Sequence, residues 1–286
     1  MLVAFDMETR DPDDVLALCL LAGHPRVRVT AVTVNPGTPA QIGVVRHVLR
    51  RLGNAAPVGA RVPDSDRDAV SAFHTDWLGD LPAGRPDAIA HELLADVLTG
   101  DTTLITGAPL HNLRLLLTRH PVARVRRWVA QGGFAGDNMV PPADRLAKFA
   151  GAVTQESYNF GHDAKAAMLA LSSPRVSERL LVAKNVTHGV AWDGALQARL
   201  RDRDELTPGA RLAVEAMDAY LRQRPEGKLL HDPLAAAAAL DPGAFTWVEA
   251  EVFREQGRWG SRPSHGTDTR VSVAVDAERA LRALMW

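Results

Sequence analysis

Leu2-Val3-Ala4-Phe5-Asp6-Met7-Glu8-Thr9-Arg10-Asp11-Pro12-Asp13-Asp14 opens with an unbroken apolar run and closes in acids, then passes directly into the apolar segment 15–22. Four consecutive apolar residues read as a buried parallel strand. Acids just beyond its end lie where parallel-sheet proteins keep their chemistry. Asp11 is placed to cap a helix, Pro12 suits its first position, and Asp14 falls at the third, as in a capping box. Apolar positions almost encircle the following helix, expected over residues 13–24. Capping accounts for Asp11, Asp13 and Asp14, at ~0.3–1 kcal/mol each, but leaves Asp6 and Glu8 unexplained. Five carboxylates within nine positions raise one another's pKa unless a cation neutralises them. Oxygen-only donors suit a hard ion, Ca²⁺ before Mg²⁺.

Working outward, strands are expected over residues 27–34, 102–106, 126–130 and 179–183. Helices are expected over 42–52, 88–98, 110–118, 164–171, 211–222 and 233–240. Residues 54–86, rich in Pro, Asp and Gly, read as an ordered loop or flap, and 134–158 as a long irregular segment. Residues 245–253 and 270–275 alternate apolar and polar, which predicts an antiparallel pair. Strands alternating with helices imply parallel βαβ units. The expected fold is therefore α/β: one domain over residues 1–286, an open, mostly parallel sheet flanked by helices, with a small antiparallel C-terminal extension.

The 286 residues carry a formal net charge of −1 with 46% hydrophobic composition. A near-neutral chain offers no general phosphate-binding surface, so nucleic acid is not the expected partner. The single cysteine, Cys19, excludes an internal disulfide and sits among leucines as an inert core thiol. The longest apolar run is far short of the ~20 residues that span a bilayer, and the acidic first strand is no signal peptide. No membrane role and a cytoplasmic location are expected.

The acidic turn resembles the N-terminal signature of the inosine–uridine-type nucleoside hydrolases, Asp-x-Asp-Pro-Gly-x-Asp-Asp leading into an apolar helix. The resemblance implies that Asp13 holds the ribose hydroxyls and Asp14 ligates Ca²⁺. The turn is one residue longer than the family's, and Glu8 stands where the family has its catalytic, metal-ligating Asp. Glu8 is thus the first choice for base and Asp11 the second. His231-Asp232-Pro233-Leu234-Ala235 resembles the family's C-terminal His-Asp-Pro motif, which implies Asp232 as a metal ligand and His231 as the acid that protonates the leaving base. Histidine has the pKa nearest neutrality for that task.

Ile105-Thr106-Gly107-Ala108-Pro109-Leu110-His111-Asn112-Leu113 resembles the strand-to-helix turn that lends a carbonyl to the ion, Gly107 here, or Thr106 if the register differs by one. Gln131-Gly132-Gly133 with Asn138 resembles a Met-Gly-Gly…Asn segment near ribose. Residues 156–163 resemble a Glu-Phe-Asn segment with one residue added. Asn138, Glu156 and Asn159 would then bind the sugar, and the long gap between Asn138 and Asn159 reads as an inserted lid. His74 and Trp77 fall in a segment similar to the family's flap near the nucleobase. Asn185-Val186-Thr187-His188 resembles an Asp-Val-Thr-His turn whose His is structural.

The resemblance covers nearly the whole chain and implies hydrolysis of the N-glycosidic bond of a ribonucleoside or related riboside. It implies a Ca²⁺ cofactor, a small-molecule nucleoside as partner, and a homodimer or homotetramer. Two rivals remain: a riboside-binding protein of the same fold that does not cleave, and a phosphohydrolase of the haloacid-dehalogenase type, which also places acids after its first strand.

Overall fold

The computed structural model describes residues 1–62, 65 and 69–286. The strands are β1 (Leu2–Met7), β2 (Arg28–Val34), β3 (Val58–Ala60), β4 (Ala88–Ile89), β5 (Thr103–Thr106), β6 (Val125–Gln131) and β7 (Thr154–Gln155), followed by β8 (Val176–Val182), β9 (Ala191–Trp192), β10 (Lys228–Leu229), β11 (Phe245–Glu255), β12 (Arg258–Pro263) and β13 (Thr269–Val275). The helices are α1 (Pro12–Ala22), α2 (Pro39–Arg51), α3 (Ala72–Leu78), α4 (Ala90–Val97), α5 (His111–Arg119) and α6 (Tyr158–His162), then α7 (Ala164–Ser172), α8 (Lys184–Thr187), α9 (Gly194–Arg201), α10 (Pro208–Gln223), α11 (His231–Leu240) and α12 (Ala277–Met285).

Among the described residues the main sheet runs β4-β3-β2-β1-β5-β6-β8-β13-β11-β12-β7. Pairing is parallel from β4 to β13 and antiparallel from β13 through β11 and β12 to β7. The expected α/β sheet with an antiparallel extension is what forms. Parallel pairing aligns the C-terminal ends of β1, β5, β6 and β8 along one edge, where the loops that carry the acids emerge.

Alternation along β1 divides its side chains between two layers. Val3, Phe5 and Met7 join the core with α1, α10 and α11, while Ala4 joins the core with α4, α5 and α7. Every residue of α1 is buried, because α2, α10, α11 and α12 pack around it. That burial explains why its apolar positions encircle it. Cys19 is fully buried, and burial pushes its thiol pKa up, away from nucleophilic reactivity.

Several expectations need correction. Part of the expected loop over 54–86 folds as β3 and α3; its residues 63, 64 and 66–68 lie outside the described residues. The helix expected from residue 88 begins as β4 and turns helical at Ala90. The 134–158 segment contains short 3-10 turns at Pro142–Asp144 and Ala147–Phe149, then β7, which pairs with β12. The insertion is thereby tied to the C-terminal hairpin. β12 itself was not anticipated: Trp259, Gly260 and Ser261 are buried in succession and break the alternation.

Candidate active site

Two helix N-termini from opposite ends of the chain face each other. α1 opens with Asp13 and Asp14 in its first turn, and α11 opens with His231 and Asp232. Asp14 Oδ1 accepts the backbone N–H of Glu8 at 2.9 Å, which draws the long turn onto the helix end. Asp13 Oδ2 accepts the backbone N–H of Asp232 at 3.0 Å, which locks the two helices together. One carboxylate oxygen from each of Asp13, Asp14 and Asp232 lies within 4.8 Å of the others, and all three residues are buried.

Burial first, and then the neighbouring carboxylates, hold the pKa of Asp14 and of Asp232 well above the ordinary range. Asp14 and Asp232 resist ionising together there without a compensating charge. The donors are all oxygen, as a hard divalent cation requires. Gly107 bears on the same point: a Cβ there would stand 2.6 Å from Asp232 Cγ. Only glycine lets that backbone approach Asp232 so closely, and its carbonyl accepts from Asn159 Nδ2 at 2.8 Å. The residues fit a divalent cation.

Asp6 acts from behind. Its Oδ1 accepts from Thr33 Oγ1 at 2.6 Å and Asn112 Nδ2 at 2.7 Å, while its carbonyl accepts the N–H of Gly107 at 2.8 Å. Burial raises its pKa to about 6. It fixes the β1 and β5 ends relative to each other.

Lys228, in β10, is the principal group missed in the sequence. Its ammonium stands 2.6 Å from Asp11 Oδ1 and 3.1 Å from Asp13 Oδ1, with the lysine side chain only 9% exposed. Nothing in a polar Glu226-Gly227-Lys228 stretch signals a contact so distant in sequence.

Above the acids opens a cleft of about 370 Å³, large enough for a nucleoside. Of the expected residues, Glu8, Asp11, Asp13, Asp14, Gly107, Asn159, His231 and Asp232 line it. Asn159 Nδ2 donates to the Gly107 carbonyl and to Gln131 Oε1, both at 2.8 Å. His231 Nδ1 lies 3.0 Å from Thr187 Oγ1, and burial, then Lys228, lowers its pKa to about 4.

Four expected residues are directed elsewhere. Asn138 donates to the Ser261 carbonyl at 2.8 Å, because the insertion leans on β12. Glu156 is exposed, and its backbone carbonyl accepts from Lys184 at 3.0 Å. His74 is buried on α3 beside Phe73, and Trp77 stacks on Phe73 and donates to Glu215 of α10. Trp77 serves the seam between α3 and α10, and His74 is buried toward Thr9 and Asp11 of the turn, because α3 is a helix with an apolar face and not an open flap. Arg10, Ser157, Tyr158, Lys184 and His188 also line the cleft. His188, read as structural from the sequence, is thus at the wall of the site.

The fold is a largely parallel α/β sheet with an acidic, nucleoside-sized cleft at its strand ends. The chain belongs to the inosine-uridine preferring nucleoside hydrolase family, whose sequence pattern matches residues 3–282. It is a hydrolase of the N-glycosidic bond of ribonucleosides. It is 28% identical, over 98% of its length and 96% of the other's, to an uncharacterized protein of Aquifex aeolicus (strain VF5). It is also 28% identical to the pyrimidine-specific ribonucleoside hydrolase RihA of Salmonella newport (strain SL254), over 92% of this chain and 85% of that one. Among solved structures, a plant nucleoside hydrolase, PpNRh1, superposes with a TM-score of 0.75 at 22% identity, covering 99% of this chain and 97% of the other. The purine-preferring ribonucleoside hydrolase from Gardnerella vaginalis gives 0.71 at 20% identity, covering 99% and 96%. Among the described residues no helix is long and apolar enough to cross a membrane.

Proposed function

We propose that residues 1–286 form one catalytic domain that converts a ribonucleoside to free base and ribose in the cleft between α1 and α11, with Ca²⁺ as cofactor. The observation that carries this reading is the convergence of Asp13, Asp14 and Asp232 within 4.8 Å. Asp14, Asp232, the Gly107 carbonyl and Glu8 would hold the ion. When bound, the cation neutralises the buried carboxylates and makes a nearby water easier to deprotonate.

Glu8 takes the proton of the attacking water as general base. Asp11 is the weaker candidate, because Lys228 already engages its carboxylate. Asp13, anchored by Lys228 and by the Asp232 N–H, receives the ribose hydroxyls, and Asn159 supports the sugar from the opposite wall. Fixing the ring in this way lets binding energy act at the reacting carbon. His231, which the family motif makes the acid for the leaving base, has its pKa lowered by burial to about 4 and is neutral near pH 7, so it assists the departing base as a hydrogen-bonding group. We further propose a cytoplasmic homodimer or homotetramer. A phosphohydrolase would have no use for His231 and Asp232 at the acidic turn.

The test is chromatography of free base and ribose from a panel of purine and pyrimidine nucleosides, with and without EDTA. Base release that EDTA abolishes and Ca²⁺ restores is expected. Tight nucleoside binding with no base released would instead favour a non-cleaving riboside binder.

A further inference from the structure

Lys148 lies in the insertion between β6 and β7, on the 3-10 turn Ala147–Phe149. Its ammonium is 2.7 Å from His188 Nδ1 and 3.4 Å from the His188 carbonyl oxygen. An ammonium has three donors and no acceptor. Nδ1 of His188 therefore accepts, the ring is neutral, and its single proton is on Nε2.

The ring is held in place from other sides as well. Phe149 meets it edge-on, with ring centroids 5.4 Å apart, and the His231 ring lies 5.0 Å away. His188 lines the cleft at that point, with Lys184 beside it. Among the described residues Lys148 forms no ion pair, Lys184 feels the Glu156 carboxylate, and both lysines, partly desolvated, lower the proton affinity of His188. Positive charge is thus stored directly behind a neutral N–H donor, on the wall of the cleft next to His231.

Resting on the ribonucleoside-hydrolysis reading, we propose that His188 is the leaving-group acid and that Lys148 is its proton source. The electron pair of the C1′–N bond leaves with the base, whose nitrogen takes the proton from His188 Nε2. Lys148 passes a proton to Nδ1; once the base has left, Nε2 takes a proton from solvent and Nδ1 returns its proton to Lys148, which restores the starting tautomer. The oxygen of water bonds to C1′, and its proton goes to Glu8 and then to solvent. The sum is riboside plus water giving ribose plus neutral base. The long insertion then has a chemical purpose: it delivers Lys148 to the back of His188.

The test compares inosine or uridine, whichever is turned over faster, with 4-nitrophenyl riboside, whose phenolate departs without protonation. His188→Gln and Lys148→Met are expected to lower kcat on the nucleoside by about 10²-fold or more and to change 4-nitrophenyl riboside turnover less than about threefold. That retained turnover also reports that the variants fold. Equal losses on both substrates, or no loss on the nucleoside, overturn the proposal and leave hydrolysis standing. Failure of the unaltered protein to cleave either riboside overturns the hydrolase reading and this proposal with it.

Discussion

The Lys228 ammonium lies between two carboxylates, 2.6 Å from Asp11 and 3.1 Å from Asp13. This contact divides the acids of the turn: Asp11 is a partner of the lysine, and Asp13 is oriented by it. A buried ion pair that loses one member leaves an uncompensated charge. Lys228→Met is therefore expected to raise KM for a nucleoside by about ten- to a hundredfold, with Lys228→Arg recovering part of the loss. Initial-rate kinetics would check this.

The same assignment ranks the two candidate bases. A general base contributes roughly 10²–10⁴-fold, so Glu8→Gln is expected to lower kcat by about that factor. Asp11→Asn, which removes only a partner of Lys228, is expected to cost less than about tenfold. A larger loss at Asp11 than at Glu8 would reverse the roles.

Burial first, and then neighbouring carboxylates, make Asp14 and Asp232 titrate well above the ordinary range in the absence of a cation. Asp14→Asn is expected to raise the melting temperature in chelator by ~2–4 °C, the shift that about 1 kcal/mol gives in a chain of this size. The stabilisation that added Ca²⁺ gives the unaltered protein should be missing in the variant, along with turnover. Differential scanning calorimetry with EDTA and with Ca²⁺ reads both effects.

Gly107 supplies a purely steric test. A methyl group 2.6 Å from Asp232 Cγ must displace a short, buried carboxylate. Gly107→Ala is expected to remove the Ca²⁺-dependent thermal shift and lower kcat at least about a hundredfold. Circular dichroism of the chelated protein should stay near that of the unaltered chain.

His74 gives a pH dependence of stability. It is 1% exposed, neither ring nitrogen has a hydrogen-bond partner among the described residues, and burial lowers its pKa from 6.5 to about 4. Between those values the unfolded chain binds a proton that the folded chain refuses. This contribution is fully present above pH 6.5 and is lost as pH falls toward 4, by about 3 kcal/mol in all. Denaturant unfolding at pH 7.5 and 4.5 should show His74→Leu losing less stability on acidification than the unaltered protein.

The ends of the chain were the most legible. Acids after an apolar strand and at helix N-termini are signals carried by adjacent residues, so Asp13, Asp14, His231 and Asp232 could be found without coordinates, and the structure brings them into one cleft. What escaped depends on tertiary contact. Lys228 and Lys184 are lone basic residues, and nothing local says which acid or cleft they reach. His74 and Trp77 read as flap residues through a loose resemblance to the family's flap, within a stretch rich in Pro, Asp and Gly, whereas α3 turns Phe73 toward Tyr220 of α10. Asn138 and Glu156 were placed by analogy across an insertion, where a shift of one residue redirects a side chain.

Asp13 and Asp232, joined by a hydrogen bond, are 219 residues apart in sequence. An ion gripped by α1 and α11 therefore behaves as a removable cross-link across most of the polypeptide, and loop-closure entropy makes long spans the costliest to bring together unaided. During synthesis the pocket cannot exist until the final quarter of the chain has emerged, so a nascent or C-terminally clipped product has no grip on the metal. Calcium availability would then act on maturation and proteolytic lifetime as well as on turnover.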